Sequence, residues 1–451
     1  MYKQKNTYSE VTPDLTPRKA AFYTLGCKLN FAETSTIGKI LSEKGFRRAT
    51  PEETPDICVV NTCSVTETAD KKARSLIRRL SMRWPEATIV VTGCYAQLKP
   101  DEVASLPGVD IVLGSNEKLR IAAYIDRWMA DRKPIVESTR TPEITTFLPS
   151  CEHGDRTRYW LKVQDGCDYY CTYCTIPFAR GRSRSGRIAD LVEQAREVAR
   201  AGGKEIVITG VNIGCFGLDT GESFFDLLRA LDAVEGIERY RISSIEPNLL
   251  TEEIIRWIAR ESRAFMPHFH IPLQSGSDTV LRLMNRRYDT ALFRSRLEYV
   301  KTMIPDAFIG VDIIAGARGE TPEEWAKTLE FVDSIPATRF HIFPYSERPG
   351  TAALRLQAES VDPGERHKRV ARLQSISDAK INEFMQSMAG TVRPVLWEHL
   401  LADDPGMMTG LTDNYIRVVA PADEALLNTI TPVRLDAVCA DRDETMTATR
   451  L

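Results

Sequence analysis

The chain has 451 residues, 43% of them hydrophobic and 27% charged, and a formal net charge of −3. That length calls for two or three domains, the composition excludes a disordered or fibrous chain, and no apolar run approaches the ~20 residues of a membrane span. The polar stretch Met1 to Arg18 lacks an apolar signal-peptide segment, so a cytoplasmic protein is expected, whose ten cysteines read as metal ligands or buried thiols rather than disulfides. The weakly acidic balance means that any nucleic-acid role must rest on local charge.

Residues 18–135 alternate strands and helices, an open α/β domain. Strands expected at 21–25, 57–61 and 89–92 each run into a cysteine, in Thr24-Leu-Gly-Cys-Lys-Leu-Asn30, Val60-Asn-Thr-Cys-Ser-Val-Thr66 and Val91-Thr-Gly-Cys-Tyr-Ala96. Strand ends of one α/β sheet converge on one crevice, which can gather Cys27, Cys63 and Cys94; each alone would read as a buried thiol. Helices at 34–44, closed by Gly45, and at 69–83 separate these strands. The second carries Lys71, Lys72, Arg74, Arg78, Arg79 and Arg83 around an apolar Leu76, Ile77 and Leu80 stripe, a core-facing helix with a basic outer face. A helix and a strand at 109–113 follow. Residues 136–157 read as a Pro- and Thr-rich linker.

A second series spans 158–385. A strand at 159–164 leads into Val163-Gln-Asp-Gly-Cys-Asp-Tyr-Tyr-Cys-Thr-Tyr-Cys174. Cys167, Cys171 and Cys174 can grip one face of an inorganic cube, but they cannot supply the fourth ligand of a closed zinc site. Arg180, Arg182, Arg184 and Arg187 follow among Gly and Ser, either a phosphate-contacting loop or a solvated surface. Strands at 205–209, 239–243, 268–272, 307–314 and 339–344, with helices between, make about six βα units: a partial barrel with its ligand mouth at the strand C-terminal ends. A long helix at 363–389 precedes short strands at 392–398, 406–411, 415–419 and 433–438, a small barrel serving RNA or packing.

The C-x3-C-x2-C loop resembles that of the radical S-adenosylmethionine superfamily, and two three-cysteine sites in this order resemble the methylthiotransferase family. Gly26-Cys-Lys-x-Asn30 is similar to the branch acting on N6-threonylcarbamoyladenosine in tRNA; the isopentenyladenosine branch reads Gly-Cys-Gln-Met-Asn there. The resemblance implies an N-terminal open α/β domain, a central partial (β/α)6 radical barrel at 158–385 and a TRAM-like RNA-binding β-barrel at 386–451. It implies two [4Fe–4S] clusters, one on Cys27, Cys63 and Cys94 and one on Cys167, Cys171 and Cys174. The second would cleave S-adenosylmethionine to a radical that takes hydrogen from C2 of adenine; the first would supply the sulfur, methylated by a second S-adenosylmethionine. The partners implied are the tRNA anticodon stem–loop, contacted by Arg180, Arg182 and Arg184, an electron donor such as flavodoxin or ferredoxin, and a sulfur source. By local match, Tyr173 would pack near the cofactor adenine, Gly210 and Asn212 near its methionine end, and Ser243, Glu246 and Asp312 near ribose or substrate; a strand-end hydrogen bond would explain each equally well. His268 and His270 read as core histidines rather than iron ligands. Gly316-Ala-Arg-Gly-Glu320 departs from the family's Gly-Phe-Pro-Gly-Glu. The alternatives are the isopentenyladenosine enzyme, a ribosomal-protein aspartate enzyme and a non-catalytic Fe–S or RNA-binding module.

Overall fold

In the computed structural model, residues 18–151 and 157–451 are described. β1 (Arg18–Thr24), β2 (Phe46–Arg48), β3 (Ile57–Thr62), β4 (Thr88–Gly93), β5 (Val109–Leu113) and β6 (Ile135–Glu137) form one parallel sheet in the order β2-β1-β3-β4-β5-β6. β3 and β4 are buried along their whole length, because helices cover both faces, and so they read as continuous apolar runs. The first helix, Lys28–Glu43, begins directly after Cys27, its N-cap. The helix Glu67–Arg83 is capped by the Thr66 side chain and buries Ala73, Leu76, Ile77 and Leu80, leaving Lys71, Lys72, Arg78 and Arg79 exposed.

The expected linker holds structure: β7 (Ser150–Cys151) pairs antiparallel with β8 (Arg158–Lys162). The short β9 (Gln164–Asp165) and β10 (Arg184–Ser185) pair beside the cysteine loop. β8, β11 (Glu205–Thr209) and β12 (Arg239–Ile242) continue in parallel, and bridges Tyr240–Phe265 and Ser244–His270 join them to β13 (His268–Gln274), β14 (Phe308–Ala315) and β15 (Arg339–Pro344). The result is an arc of six parallel strands. Alternate residues such as Leu161, Ile208, Ile242 and Ile271 pack under the helices. The intervening ones, Lys162, Glu205, Arg241, His270 and Asp312 among them, face the concave side, as a period of two requires.

The first helix closes the open side of this arc: the Phe31 ring lies 5.2 Å from that of Trp160, and Ala32 packs with Trp160 and Val207. Arg348 fastens the same two domains through Asp70 at 2.7 Å and Ser64 at 2.9 Å. After the helix Pro363–Met388, the strands β16 (Val392–Leu400), β17 (Met407–Thr412), β18 (Arg417–Pro421), β19 (Ile430–Val438) and β20 (Thr445–Arg450) close into a barrel, β16-β17-β18-β20-β19. Its core holds Val395, Trp397, Met408, Val418 and Met446. Arg239 donates to the carbonyls of Leu411 and Pro394, and Arg241 to those of Asp413 and Thr412, which fixes this barrel beneath the arc. No helix among the described residues is long and apolar enough to cross a membrane.

Candidate active site

β1, β3 and β4 are neighbours in register, Thr24 beside Asn61 and Thr62 beside Gly93, so Cys27, Cys63 and Cys94 emerge from adjacent strand ends. The backbone there is built around missing side chains. Gly26 has φ +109° and a Cβ on it would lie 2.7 Å from Cys63 Cβ; Gly93 has φ +96° and a Cβ on it would lie 2.3 Å from the Thr62 carbonyl oxygen. Asn30 ties the strand ends together, donating to the carbonyls of Leu25 and Thr62 at 2.8 and 3.1 Å, while its Oδ1 stands 3.8 Å from Cys27 Sγ. Burial pushes the Cys63 thiol up to about 12 and raises that of Cys94, against the pull of the Arg180 charge. Both thiols also feel Cys27, so the three form one electrostatic group.

The second set follows the same logic. Gly166, with φ +70°, precedes Cys167, and a Cβ on it would meet the Arg182 carbonyl oxygen at 2.0 Å. The backbone N–H groups of Tyr169 and Ile176 donate to the sulfurs of Cys167 and Cys174, each at 3.4 Å. The segment 283–287 clasps the loop: Thr172 donates to Met284 and Leu283, Asn285 to Tyr169, and Arg287 to Asp168. Arg286 donates to Cys171 Sγ at 3.2 Å and pairs with Glu246, whose carboxyl is raised by burial despite that partner. Burial lifts the Cys167 thiol to about 11 and that of Cys174 to about 12.

The other sequence-predicted residues are placed as follows. Asn212 stands 3.9 Å from Cys167 Sγ, and Gln164 accepts from the N–H groups of Val211 and Asn212, which sets the turn after Gly210 beside the cysteine loop. Tyr173 packs with Val280, Met284, Ile314 and Tyr345. Ser243 is buried at the mouth end of β12. Asp312 Oδ1 is 2.7 Å from His270 Nε2, and the His270 ring stacks on that of His341 at 5.0 Å. His268 is buried against Tyr415 of the C-terminal barrel, ring centroids 4.1 Å apart, and burial keeps it neutral. Gly316 and Gly319 both have positive φ, and Glu320 accepts from the Gly316 N–H, so the altered segment still forms its turn.

The arginine loop is not the phosphate-contacting or solvated segment expected: Arg180 and Arg184 are buried. Arg180 is 1% exposed and pairs with Glu33 and Asp165, each at 3.0 Å; Arg184 is 4% exposed and bonds to Asp165 and the carbonyls of Thr146, Arg180 and Arg182. Neither can reach a phosphate, and only Arg182 of the three keeps an exposed side chain. Sequence reasoning also missed Glu33, Lys118, Lys162, Asp165 and Arg286. The presence of Glu33 on an apolar helix face was the one available signal.

All ten cysteines are free of disulfides. No three His, Cys, Asp or Glu among the described residues surround a single-ion position. What fits a larger group is steric and electrostatic: a left-handed glycine directly before Cys27, Cys94 and Cys167, and a guanidinium with little exposed side chain beside each set, Arg180 and Arg286. The raised thiols must release their protons when a metal group binds, and the N–H donors to Cys167 and Cys174 are of the kind that tunes the potential of an iron–sulfur cluster.

An arc of six parallel strands carrying a C-x3-C-x2-C loop at its mouth defines a radical S-adenosylmethionine enzyme. Residues 161–332 match the radical SAM superfamily, and residues 19–114 match a family described as uncharacterized protein family UPF0004. The fold is similar to that of the radical S-adenosylmethionine methyltransferase TsrM from Kitasatospora setae with cobalamin and a [4Fe–4S] cluster bound: TM-score 0.54 at 14% identity, covering 88% of this chain and 82% of that one. The chain is 40% identical over 421 residues to the threonylcarbamoyladenosine tRNA methylthiotransferase MtaB of Bacillus subtilis, covering 92% of this chain and 93% of the relative. It is 37% identical to the protein of that name in Thermotoga maritima, covering 87% and 89%. To the tRNA-2-methylthio-N(6)-dimethylallyladenosine synthase of Symbiobacterium thermophilum it is 32% identical, covering 91% and 90%. The chain therefore belongs to the radical S-adenosylmethionine methylthiotransferase family, whose members use S-adenosylmethionine and [4Fe–4S] clusters.

Proposed function

We propose that this enzyme acts in the cytoplasm on N6-threonylcarbamoyladenosine beside the tRNA anticodon and places a methylthio group on C2 of the adenine. The observation that carries the reading is the 40% and 37% identity, over nearly the whole chain, to relatives named for that nucleoside, against 32% to one named for the dimethylallyl nucleoside. The concave side of the arc supports it. Its walls present His270, Asp312 and His341, which suit a polar substituent rather than an apolar prenyl chain. Lys28 lies three residues before Phe31 and so shares its helix face, toward the same space. No carboxylate among the described residues pairs with it.

Cys167, Cys171 and Cys174 would hold one cluster, and Cys27, Cys63 and Cys94 a second. When bound, they supply the electron for cofactor cleavage and a seat for sulfur, chemistry no side-chain acid or base can replace at an unactivated ring carbon. The chain's own residues do the rest. The three left-handed glycines let the backbone approach the clusters. Asn212 and Glu246 stand beside the cysteine loop where the cofactor's polar end needs partners, and the first helix shuts the open side of the arc against water. A reductant such as flavodoxin or ferredoxin and a sulfur source complete the reaction.

Mass spectrometry of tRNA nucleosides tests the reading. Deleting the gene should abolish 2-methylthio-N6-threonylcarbamoyladenosine and leave its unmethylthiolated precursor. Loss of the isopentenyl derivative instead, or no change in tRNA, would overturn it.

A further inference from the structure

Between the first helix and the arc lies a group of buried charges that do not balance. Lys118 stands 2.6 Å from Glu33, Lys162 3.0 Å from Glu33 and 2.7 Å from Asp165, and Arg180 3.0 Å from each carboxylate; Arg184 is 3.2 Å from Asp165. None of these side chains is more than 5% exposed. Four cations share two carboxylates, and no third carboxylate among the described residues pairs with any of them. The strain shows at Lys118, which burial, with the like charges of Arg180 and Lys162, holds down to about 8 against the pull of Glu33. An interior surplus of positive charge is costly unless an anion meets it.

The surplus sits against the N-terminal cysteines. Arg180 donates through Nη2 to Asn30 Oδ1 at 2.7 Å, and that oxygen is 3.8 Å from Cys27 Sγ. An iron–sulfur cube becomes net negative once three thiolates bind it, more so when reduced or when it takes up an anionic sulfur ligand. We infer that this cationic group is the seat for a negatively charged iron–sulfur group on Cys27, Cys63 and Cys94, with Arg180 the positioning residue that favours its reduction and its uptake of inorganic sulfide. The inference rests on the two-cluster reading above and adds what the surrounding chain does for one of them.

The test uses the full-length chain carrying Cys167→Ala, Cys171→Ala and Cys174→Ala, reconstituted anaerobically, so that only the N-terminal group is present, at about four irons per chain. Into it go Arg180→Gln, Arg180→Lys and Lys118→Met. Removing the charge at Arg180 should shift the reduction equilibrium at least tenfold toward the oxidised form, about 59 mV downward for one electron. It should also weaken binding of added sodium sulfide, followed by electron paramagnetic resonance, by about tenfold or more. Arg180→Lys should recover most of both effects, which a merely structural strut would not do. Lys118→Met removes an ammonium that pairs with Glu33; it should move both readouts in the same direction, and it decides the matter if Arg180→Gln holds no iron. Full iron with unmoved potential and sulfide affinity in these variants would overturn the inference alone. Absence of iron from the background chain would overturn the two-cluster reading and this inference with it.

Discussion

Replacing Arg241 with Met should unfasten the C-terminal barrel. Arg241 is 1% exposed and spends all three faces of its guanidinium: 2.7 Å to the Asp413 carbonyl, 2.8 Å to that of Thr412, and 2.8 Å to Glu205 Oε1. Glu205 is fully buried, and its other partner, Arg239, stands 3.8 Å away. Each charge-assisted bond is worth ~1.5–3 kcal/mol, and breaking a buried pair typically costs ~3–5 kcal/mol. All three bonds belong to one residue and do not add, so Arg241→Met should cost about 3–5 kcal/mol. The double variant with Glu205→Gln should cost less than the sum, because the stranded carboxylate is gone too. Calorimetry would read the loss, and limited proteolysis should release the segment after Ala389 faster. Burial opposes ionisation of Glu205, but Arg241 and Arg239 overcome it and hold its carboxyl below the usual range. Its contribution is therefore complete above the unfolded carboxyl value of ~4.3 and is lost as pH falls through the lower folded value, so the parent's advantage over Arg241→Met should shrink only in acid. A cost below about 1 kcal/mol, or a fully additive double variant, would refute the reasoning.

Gly166→Ala puts a Cβ 2.0 Å from the Arg182 carbonyl oxygen at φ +70°; reconstituted iron should fall from about eight to about four per chain and cofactor cleavage should cease. Gly202→Ala, at φ +82° with nothing within 4 Å, should lose only ~1–2 kcal/mol of stability and keep its iron. Arg286→Met removes the donor 3.2 Å from Cys171 Sγ and leaves the half-buried Glu246 without that cation; cleavage of S-adenosylmethionine, assayed as 5′-deoxyadenosine, should drop about tenfold or more with iron retained, and unchanged turnover would exclude a role at the cluster. Glu at Lys72, Arg78 and Arg79 reverses the exposed face of the helix Glu67–Arg83; tRNA affinity should fall and its salt dependence flatten by about one unit per lost phosphate contact, measured by filter binding across salt concentrations.

What the sequence shows of this fold follows from how local each signal is. β5 at 109–113, β11 at 205–209 and β15 at 339–344 were legible to the residue, because each is a short apolar or alternating run between turns. β2 and β6, three residues each, carry too little pattern to read, and β20, Thr445–Arg450, hides its inward Met446 and Ala448 among Thr and Arg. The first helix begins six residues before its expected start, since Cys27 caps it with no Ser, Thr, Asp or Asn to announce the turn. The placement of Cys27, Cys63 and Cys94 at neighbouring strand ends was readable because strand ends are sequence properties.

The charges around the cysteines were not readable, and the arginine loop shows why. Arg180, Arg182 and Arg184 alternate with Gly and Ser in what reads as solvated loop, and nothing local distinguishes the buried pair from the exposed residue between them. The distinction lies in Glu33, 147 positions upstream of Arg180 and brought in by the N-terminal domain. Glu33 is fully buried on a helix that also buries Leu29, Ala32 and Ile37. A carboxylate on such a face demands a cation from elsewhere, and the arc of strands supplies three, Lys162 and Arg180 directly and Arg184 through Asp165. Closing the first helix onto the arc therefore does two things at once: it covers the concave side, and it brings the positive charge of the radical barrel against cysteines carried by a different domain. A chain whose two domains were merely tethered would keep six cysteines and lose that field. On the inference above, the contact between the domains is part of the chemistry of the N-terminal set.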